Sequence, residues 1–440
     1  MALRVTLSGP AATEGKRVLA SVAASERLRI VSALIRISGD WELSEDCFQE
    51  AVARALATWP ERGIPGNPGA WLTTVSKNLI MDALRRASTE RNTARRYLVE
   101  AEIDAEDNVE KAPEGSIVDD DRLRLIFTCC HPALAMEARV ALTLRTVIGL
   151  SVRETAHVFL VTEPTMQKRL VRARAKIRDA GIPYRVPPAG LLPERTSGVL
   201  AVLYLLFTEG YSSGSGDDLV RAPLAEEAIR LTRLVVELME HSRQLPEVLG
   251  LLALELFQHS RVGARIDSAG DLVVLEDQDR RLWNDAAIAE GGTAVATAEA
   301  QRARLDVPVG SYQLQAQIAA VHATAPTAAA TDFARIAELY RRLGRISPSP
   351  VIELNLAIAV AFSQGLGAGM ALLDVLDSDG QLDEYHLLHA TRADLLRRSG
   401  RFGDALPHYL RALELAPSDA ERRFLRRRID ETRNAAGLPD

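Results

Sequence analysis

Gln167, Lys168, Arg169, Arg172 and Lys176 form a row of cations with one amide, and Thr165 stands just ahead of them. Guanidinium and ammonium groups so placed can bind phosphate oxygens or guanine edges, and a glutamine can read adenine, so this stretch offers nucleic-acid recognition. Other residue types invite comparison with catalytic or metal chemistry. Cys129, Cys130 and His131 are potential metal ligands, but adjacent residues on a helix diverge and no second ligand pair lies at zinc-site spacing. Glu276, Asp277, Asp279 and Asp285 cluster near Trp283 and could in principle exchange protons. No motif fixes a nucleophile, however, the glycines around Ser213 lack a P-loop lysine, and His386 with His389 lacks the metalloprotease glutamate. Salt bridges and turn caps account for the acids. The sequence therefore predicts a binding protein, not an enzyme, with no catalytic residue, metal or cofactor.

The cation row needs a helix to carry it. Ser151 and Glu154 have capping-box spacing, and Val152, Ala156 and Phe159 then repeat on one face. Val161 and Thr162 break that pattern, and Thr162-Glu163-Pro164 supplies a cap, a first-turn acid and a tolerated proline for a second helix. Met166, Leu170, Ala173 and Ile177 form its apolar stripe and leave the cations to project elsewhere. Two short helices, a turn of about three to four residues and cations near the second N-terminus match a helix-turn-helix. A helical hairpin with a solvated basic face is the plainer alternative at this point.

Upstream, Leu28, Val31, Leu34 and Ile35 give helical periodicity over Glu26–Ser38, which Gly39-Asp40 ends. Ser44 can cap the next helix, with Cys47, Phe48, Ala51, Val52, Ala55, Leu56 and Trp59 inward. Glu45, Asp46, Gln49 and Glu50 make its first turns acidic, and Pro60 closes it. Residues 63–69 are too rich in Gly and Pro to be anything but a loop. A third helix, Trp71–Arg86, carries Leu72, Val75, Leu79 and Leu84 with Lys77, Asn78, Asp82, Arg85 and Arg86.

With a formal net charge of -6 over 440 residues, nucleic-acid binding has to be local, and the length implies several modules. Three cysteines, two of them adjacent, cannot make a disulfide framework. No basic-then-apolar leader and no membrane-length apolar run is read, so a cytoplasmic location away from the membrane is expected.

SEDCFQEAVARALATWP followed by NPGAWLTTVSKNLIMDALRR resembles region 2 of extracytoplasmic-function (ECF) sigma factors, and LSVRETAHVFLVTEPTMQKRLVRARAKIRD resembles their region 4. The second match includes Thr165, Arg169, Leu170, Arg172, Ala173 and Arg174. Ser44, Cys47, Ser76, Lys77 and Met166 depart mildly from the family pattern. The resemblance implies an all-α protein whose partners are core RNA polymerase and promoter DNA. It assigns Glu45, Asp46, Gln49 and Glu50 to polymerase docking, and Asn67, Trp71, Lys77, Asn78, Arg85 and Arg86 to the -10 element. Thr165, Gln167, Lys168, Arg169, Arg172 and Lys176 would read the -35 element. From the residues alone, Trp71 reads as a core anchor, and Arg85 and Arg86 also suit a helix C-terminus.

The modules expected are a tail at 1–25, region 2 at 26–98, an acidic linker at 99–120, region 4 at 121–181, a helical extension at 182–300 and tetratricopeptide-like repeats at 301–440. The linker is either a solvated tether or, by the resemblance, an acidic thread in the polymerase RNA path. In the extension, residues 209–216 read as a loop and 264–275 as a small hairpin turning at 267–270. Tyr385–Leu415 matches a repeat-type helix pair and Leu339–Leu373 a weaker copy. The extension resembles that of the ECF subgroup with such repeats, which implies that it regulates activity and that a protein regulator binds the repeats. The competing reading is a helix-turn-helix regulator with a repeat-type sensor domain that never joins polymerase; only a sigma factor needs the segment 44–86.

Overall fold

The computed structural model describes residues 10–90, 121–159, 161–212, 222–267, 271–378 and 380–437, and the acidic linker at 99–120 lies outside them. Among these residues the architecture is all-α, and no helix is long and apolar enough to cross a membrane. The chain divides into two compact units, 1–202 and 203–440.

The first unit opens with α1 (Pro10–Ser38), α2 (Trp41–Arg62) and α3 (Pro68–Glu90), which pack on one another. α1 begins well before the expected Glu26, because proline is tolerated at a first helical position and the alanine-rich stretch after it favours helix. Leu28, Val31, Leu34 and Ile35 are buried as their spacing predicts, alongside Phe48, Ala51, Ala55, Trp59, Leu72 and Ile80. The cap of α2 is Asp40, not Ser44: its carboxylate accepts from the amides of Glu42 at 3.0 Å and Leu43 at 3.1 Å. Ser44 is buried one turn in and donates to the Asp40 carbonyl at 2.6 Å. α2 also continues through Pro60 until Gly63, at φ 84°, turns the chain out of the helix.

Next come α4 (Asp121–Cys129) and α5 (Met136–Leu142), which winds directly into a π-helical turn at Thr143–Ile148, then α6 (Val152–Val158) and α7 (Glu163–Asp179). The capping box is present, with Ser151 Oγ accepting from the Glu154 amide at 3.1 Å and Glu154 Oε2 from the Ser151 amide at 2.7 Å. Met166, Leu170, Ala173 and Ile177 are all buried. The unit reaches Val202, past the expected start of the extension at 182. Two contacts explain this: Tyr184 Oη lies 2.9 Å from the Ser32 carbonyl and 3.2 Å from that of Asp121, and Arg195 donates to the Phe127 carbonyl at 2.7 Å.

α8 (Leu192–Ser212) supplies its residues from 203 onward to the second unit, followed by α9 (Ala222–Leu238), α10 (Leu245–His259), α11 (Asp285–Leu305), α12 (Ser311–Thr324), α13 (Phe333–Ile346), α14 (Pro350–Gln364), α15 (Leu366–Ser378), α16 (His386–Arg398), α17 (Phe402–Leu415) and α18 (Asp419–Ala436). Residues 209–212, expected in a loop, continue α8: Tyr211 stacks on Phe207 at 5.4 Å, and Gly210 admits the backbone of Ala225 where a side chain would collide. The expected hairpin reduces to a single antiparallel bridge between Ile266 and Leu272, and the tip at 268–270 lies outside the described residues. The repeat-type pair α16–α17 buries Leu395, Leu396, Ala405, Tyr409 and Ala412.

Two polar devices join distant helices here. Glu247 of α10 caps α12, accepting from the Tyr312 amide at 2.8 Å and from Ser311 Oγ at 3.3 Å. Farther along, Asp271 pairs with Arg423 at 2.7 Å and Arg427 at 3.5 Å, Asp277 with Arg428 at 3.8 Å, and Glu276 with Arg398, tying residues 271–277 to α16 and α18.

Glu255 is 0% exposed in α10, and neither carboxylate oxygen has a hydrogen-bond partner among the described residues. Burial pushes its carboxyl well above the usual range, outweighing the pull of the Arg233 charge. Above about pH 4.3 the unfolded chain sheds a proton that the folded chain keeps, so stability falls as pH rises toward the elevated folded-state pKa. Glu255→Gln is expected to flatten that slope and to gain about 1–2 kcal/mol at pH 8, with no gain near pH 4. Melting curves of both chains from pH 5 to 8 check this; parallel slopes would mean that Glu255 is ionised in the fold.

Candidate nucleic-acid interface

α7 turns about 100° per residue, which sorts its polar residues into two sets. Thr165, Lys168, Arg169, Arg172 and Lys176 fall on one face and line an open groove of about 470 Å³, whose other wall is Ala133, Leu134, Ala135 and Ala138. That second wall had no signal in the sequence. Gln167 is exposed but does not line the groove, because it sits five positions before Arg172 and so about 140° around the helix. Arg169 holds its guanidinium over the ring of Phe159, just past the end of α6, at 5.0 Å. A concave, cation-lined surface with apolar floor residues can follow a phosphate backbone and present donors to base edges.

Asn78, Asp82, Arg85 and Arg86 are exposed on α3, as are Ala70 and Thr74 nearer its start. Helical spacing places Trp71, Asn78, Asp82 and Arg85 on one face, with Lys77 about 100° away from Asn78 and half-buried. Trp71 meets Trp59 edge-on at 5.5 Å, the packing role its type suggests. Asn67 serves as a cap, its Oδ1 accepting from the Ala70 amide at 3.0 Å. Arg86 donates to the Asp82 carbonyl at 3.1 Å.

The acidic start of α2 is divided. Asp46, Gln49 and Glu50 are exposed on one face, whereas Glu45 is 5% exposed. Glu45 faces three guanidiniums: Arg145 at 2.6 Å, Arg174 at 3.5 Å and Arg27 at 3.7 Å. Burial lowers the pKa of Arg27, against the raising effect of Glu45. None of the three arginines was singled out for such a role, since nothing in linear spacing joins α1, the π-helical turn and α7 to one carboxylate.

The other candidate ligands are spent on structure. Cys129 and Cys130 are buried, and burial pushes the Cys130 thiol up to about 11. His131 Nδ1 accepts from the Ala133 amide at 3.1 Å. Asp279 accepts from the Arg281 amide at 3.0 Å, and Glu276 and Asp277 are held in the pairs described above.

A three-helix bundle with one acidic face, followed by a helix-turn-helix with a cation-lined groove, defines a two-module helical protein with a helix-turn-helix as its second module. Sequence comparison agrees: residues 23–90 match Sigma-70 region 2, residues 124–177 match Sigma-70 region 4, and residues 195–299 match a family of unknown function, DUF6596. An uncharacterized protein of Rhizobium meliloti, R00370, is 41% identical over 406 residues, 92% of this chain and 94% of its own length. The probable ECF RNA polymerase sigma factor SigI of Mycobacterium tuberculosis is 30% identical over 166 residues, 38% of this chain and 56% of its own. The ECF RNA polymerase sigma factor SigE of Mycolicibacterium smegmatis is 28% identical over 151 residues, 34% of this chain and 56% of its own. The chain thus spans little more than half the length of these two named relatives. No solved structure is matched. The chain belongs to the extracytoplasmic-function sigma-70 family and carries a helical C-terminal extension.

Proposed function

We propose that this protein binds core RNA polymerase and directs it to specific promoters. The observation that carries the reading is the groove of α7, where Lys168, Arg169, Arg172 and Lys176 converge in a chain of net charge -6. A local cationic surface on an acidic protein is built for one anionic partner, not for general adhesion. In this reading the groove takes the -35 element. The face of α3 bearing Trp71, Asn78 and Arg85, flanked by Asn67, Lys77 and Arg86, takes the -10 element. Asp46, Gln49 and Glu50 present the acidic docking face to polymerase, and the extension regulates the activity through a protein bound to its helical repeats.

In vitro transcription tests the reading. The full chain with core polymerase is expected to initiate at a cognate promoter that core alone ignores. Binding to the same DNA with no gain in transcripts would instead favour a regulator that stays apart from polymerase. Reversing the charge of the docking face, Asp46→Lys with Glu50→Lys, is expected to weaken the association with core at least tenfold at low salt, with less effect at high salt.

A further inference from the structure

We propose that Glu45 is a latch: in the free chain it holds the helix-turn-helix module closed on the three-helix bundle, and it is released when the chain takes up core polymerase. The proposal rests on the reading of the chain as a polymerase-binding promoter reader. One carboxylate from α2 serves Arg27 of α1, Arg145 of the π-helical turn and Arg174 of α7, with side chains 6%, 12%, 22% and 19% exposed respectively. The two basic partners from the second half of the unit are thus drawn to the first half by a single negative charge. Withdrawing that charge leaves three guanidiniums facing one another with little water to screen them.

The surroundings are shaped around this contact. Arg27 also donates to the carbonyls of Thr146 at 2.7 Å and Arg145 at 3.3 Å, so it grips the backbone of the π-helical turn while facing Glu45. The turn ends at Gly149, φ 97°, where a Cβ would lie 2.9–3.0 Å from the Arg27 guanidinium. Only glycine gives both the left-handed backbone and the room for that guanidinium. Arg145 is fixed in turn by the Leu150 carbonyl at 3.1 Å. On α7, Arg174 lies about 160° from Arg172, so the helix grips the bundle with one side and offers its groove with the other.

Glu45 also adjoins the exposed docking residues Asp46 and Gln49 on α2. A partner that binds this face and pulls on the helix start, or competes for the carboxylate, therefore acts directly on the latch. A closed form that must open before docking lowers the apparent affinity by the fraction of chains that are open.

The test uses the full chain carrying Ala57→Cys and Ala180→Cys for a fluorescent donor and acceptor; the natural cysteines are buried. Energy transfer and core-polymerase affinity are measured together, for this chain and for Glu45→Gln. The expected result is high transfer in the free parent, a drop on adding core, low transfer in free Glu45→Gln, and about three- to thirty-fold tighter binding of core by Glu45→Gln. Weaker core binding with transfer still high would make Glu45 a docking contact and overturn the proposal, as would no change in either signal. Should Glu45→Gln fail to fold by circular dichroism, Arg174→Met removes one of the three partners and must shift transfer in the same direction. If the parent does not bind core at all, the proposed function fails, and the transfer change in free Glu45→Gln still decides whether the latch exists.

Discussion

Replacing both Arg169 and Arg172 by alanine is expected to weaken promoter binding by the polymerase complex by about 2–6 kcal/mol if both contact bases, one bidentate pair being worth about 1–3 kcal/mol. Both side chains line the α7 groove, and neither belongs to the buried stripe that holds the helix in place, so the loss falls on recognition and not on folding. Phosphate contacts give a different signature: affinity falls for every sequence, and the slope of log affinity against log salt shrinks by about 0.9 for each contact removed. Titration of cognate and scrambled DNA between 50 and 200 mM salt separates the two. Gln167→Ala is the internal control and should change binding little, since Gln167 lies outside the groove. A loss from Gln167→Ala equal to that from the arginine pair would place the DNA on a different face of α7.

The second large effect concerns stability. A Cβ on Gly250 would meet the Gln313 amide nitrogen at 2.6 Å and Cα at 2.8 Å, because α10 and α12 pack backbone against backbone there. Backbone cannot rotate aside as a side chain can, so Gly250→Leu must prise the two helices apart. That separation also strains the Glu247 cap of α12 one turn away. We expect a loss of at least about 3 kcal/mol, at the upper end for overpacking. Gly292, exposed in α11 with open space where its Cβ would be, gives the opposite sign: Gly292→Ala should stabilise by about 0.5–1 kcal/mol through helix propensity. Denaturant unfolding of the two variants checks both signs, and a neutral Gly250→Leu would refute the close packing.

Helix existence was legible wherever an apolar stripe and a cap coincided. Ser151 with Glu154, and Met166 through Ile177, needed no tertiary information because local chemistry and periodicity agree there. Terminal residues were harder to assign. Asp40 displaced Ser44 as a cap since either can accept from backbone amides, and the choice depends on which residue the core buries. The continuation of α8 through Gly210 was hidden for a similar reason: glycine reads as a breaker until the neighbouring helix that requires its small size is in view. In the site, the side of α7 that faces the groove follows from angle alone, and that angle already separates Gln167 from Arg172. The fate of Glu45 does not follow from angle, because it depends on arginines 18, 100 and 129 residues away meeting at one point.

The salt bridges that fasten Asp271, Glu276 and Asp277 to Arg398, Arg423, Arg427 and Arg428 change how the extension comes apart. A linear stack of helix pairs touches only its nearest neighbours, so its last helix frays first and protection from hydrogen exchange declines toward the end. Here the terminal helix is pinned to a segment about 150 residues earlier in the chain, which gives the array no free end on that side. Because the fastening is ionic and largely open to water, added salt loosens it and restores the free end. Exchange in α18 should therefore be slow in dilute buffer and quicken selectively as ionic strength rises, while α10, sealed by apolar packing, keeps its rate.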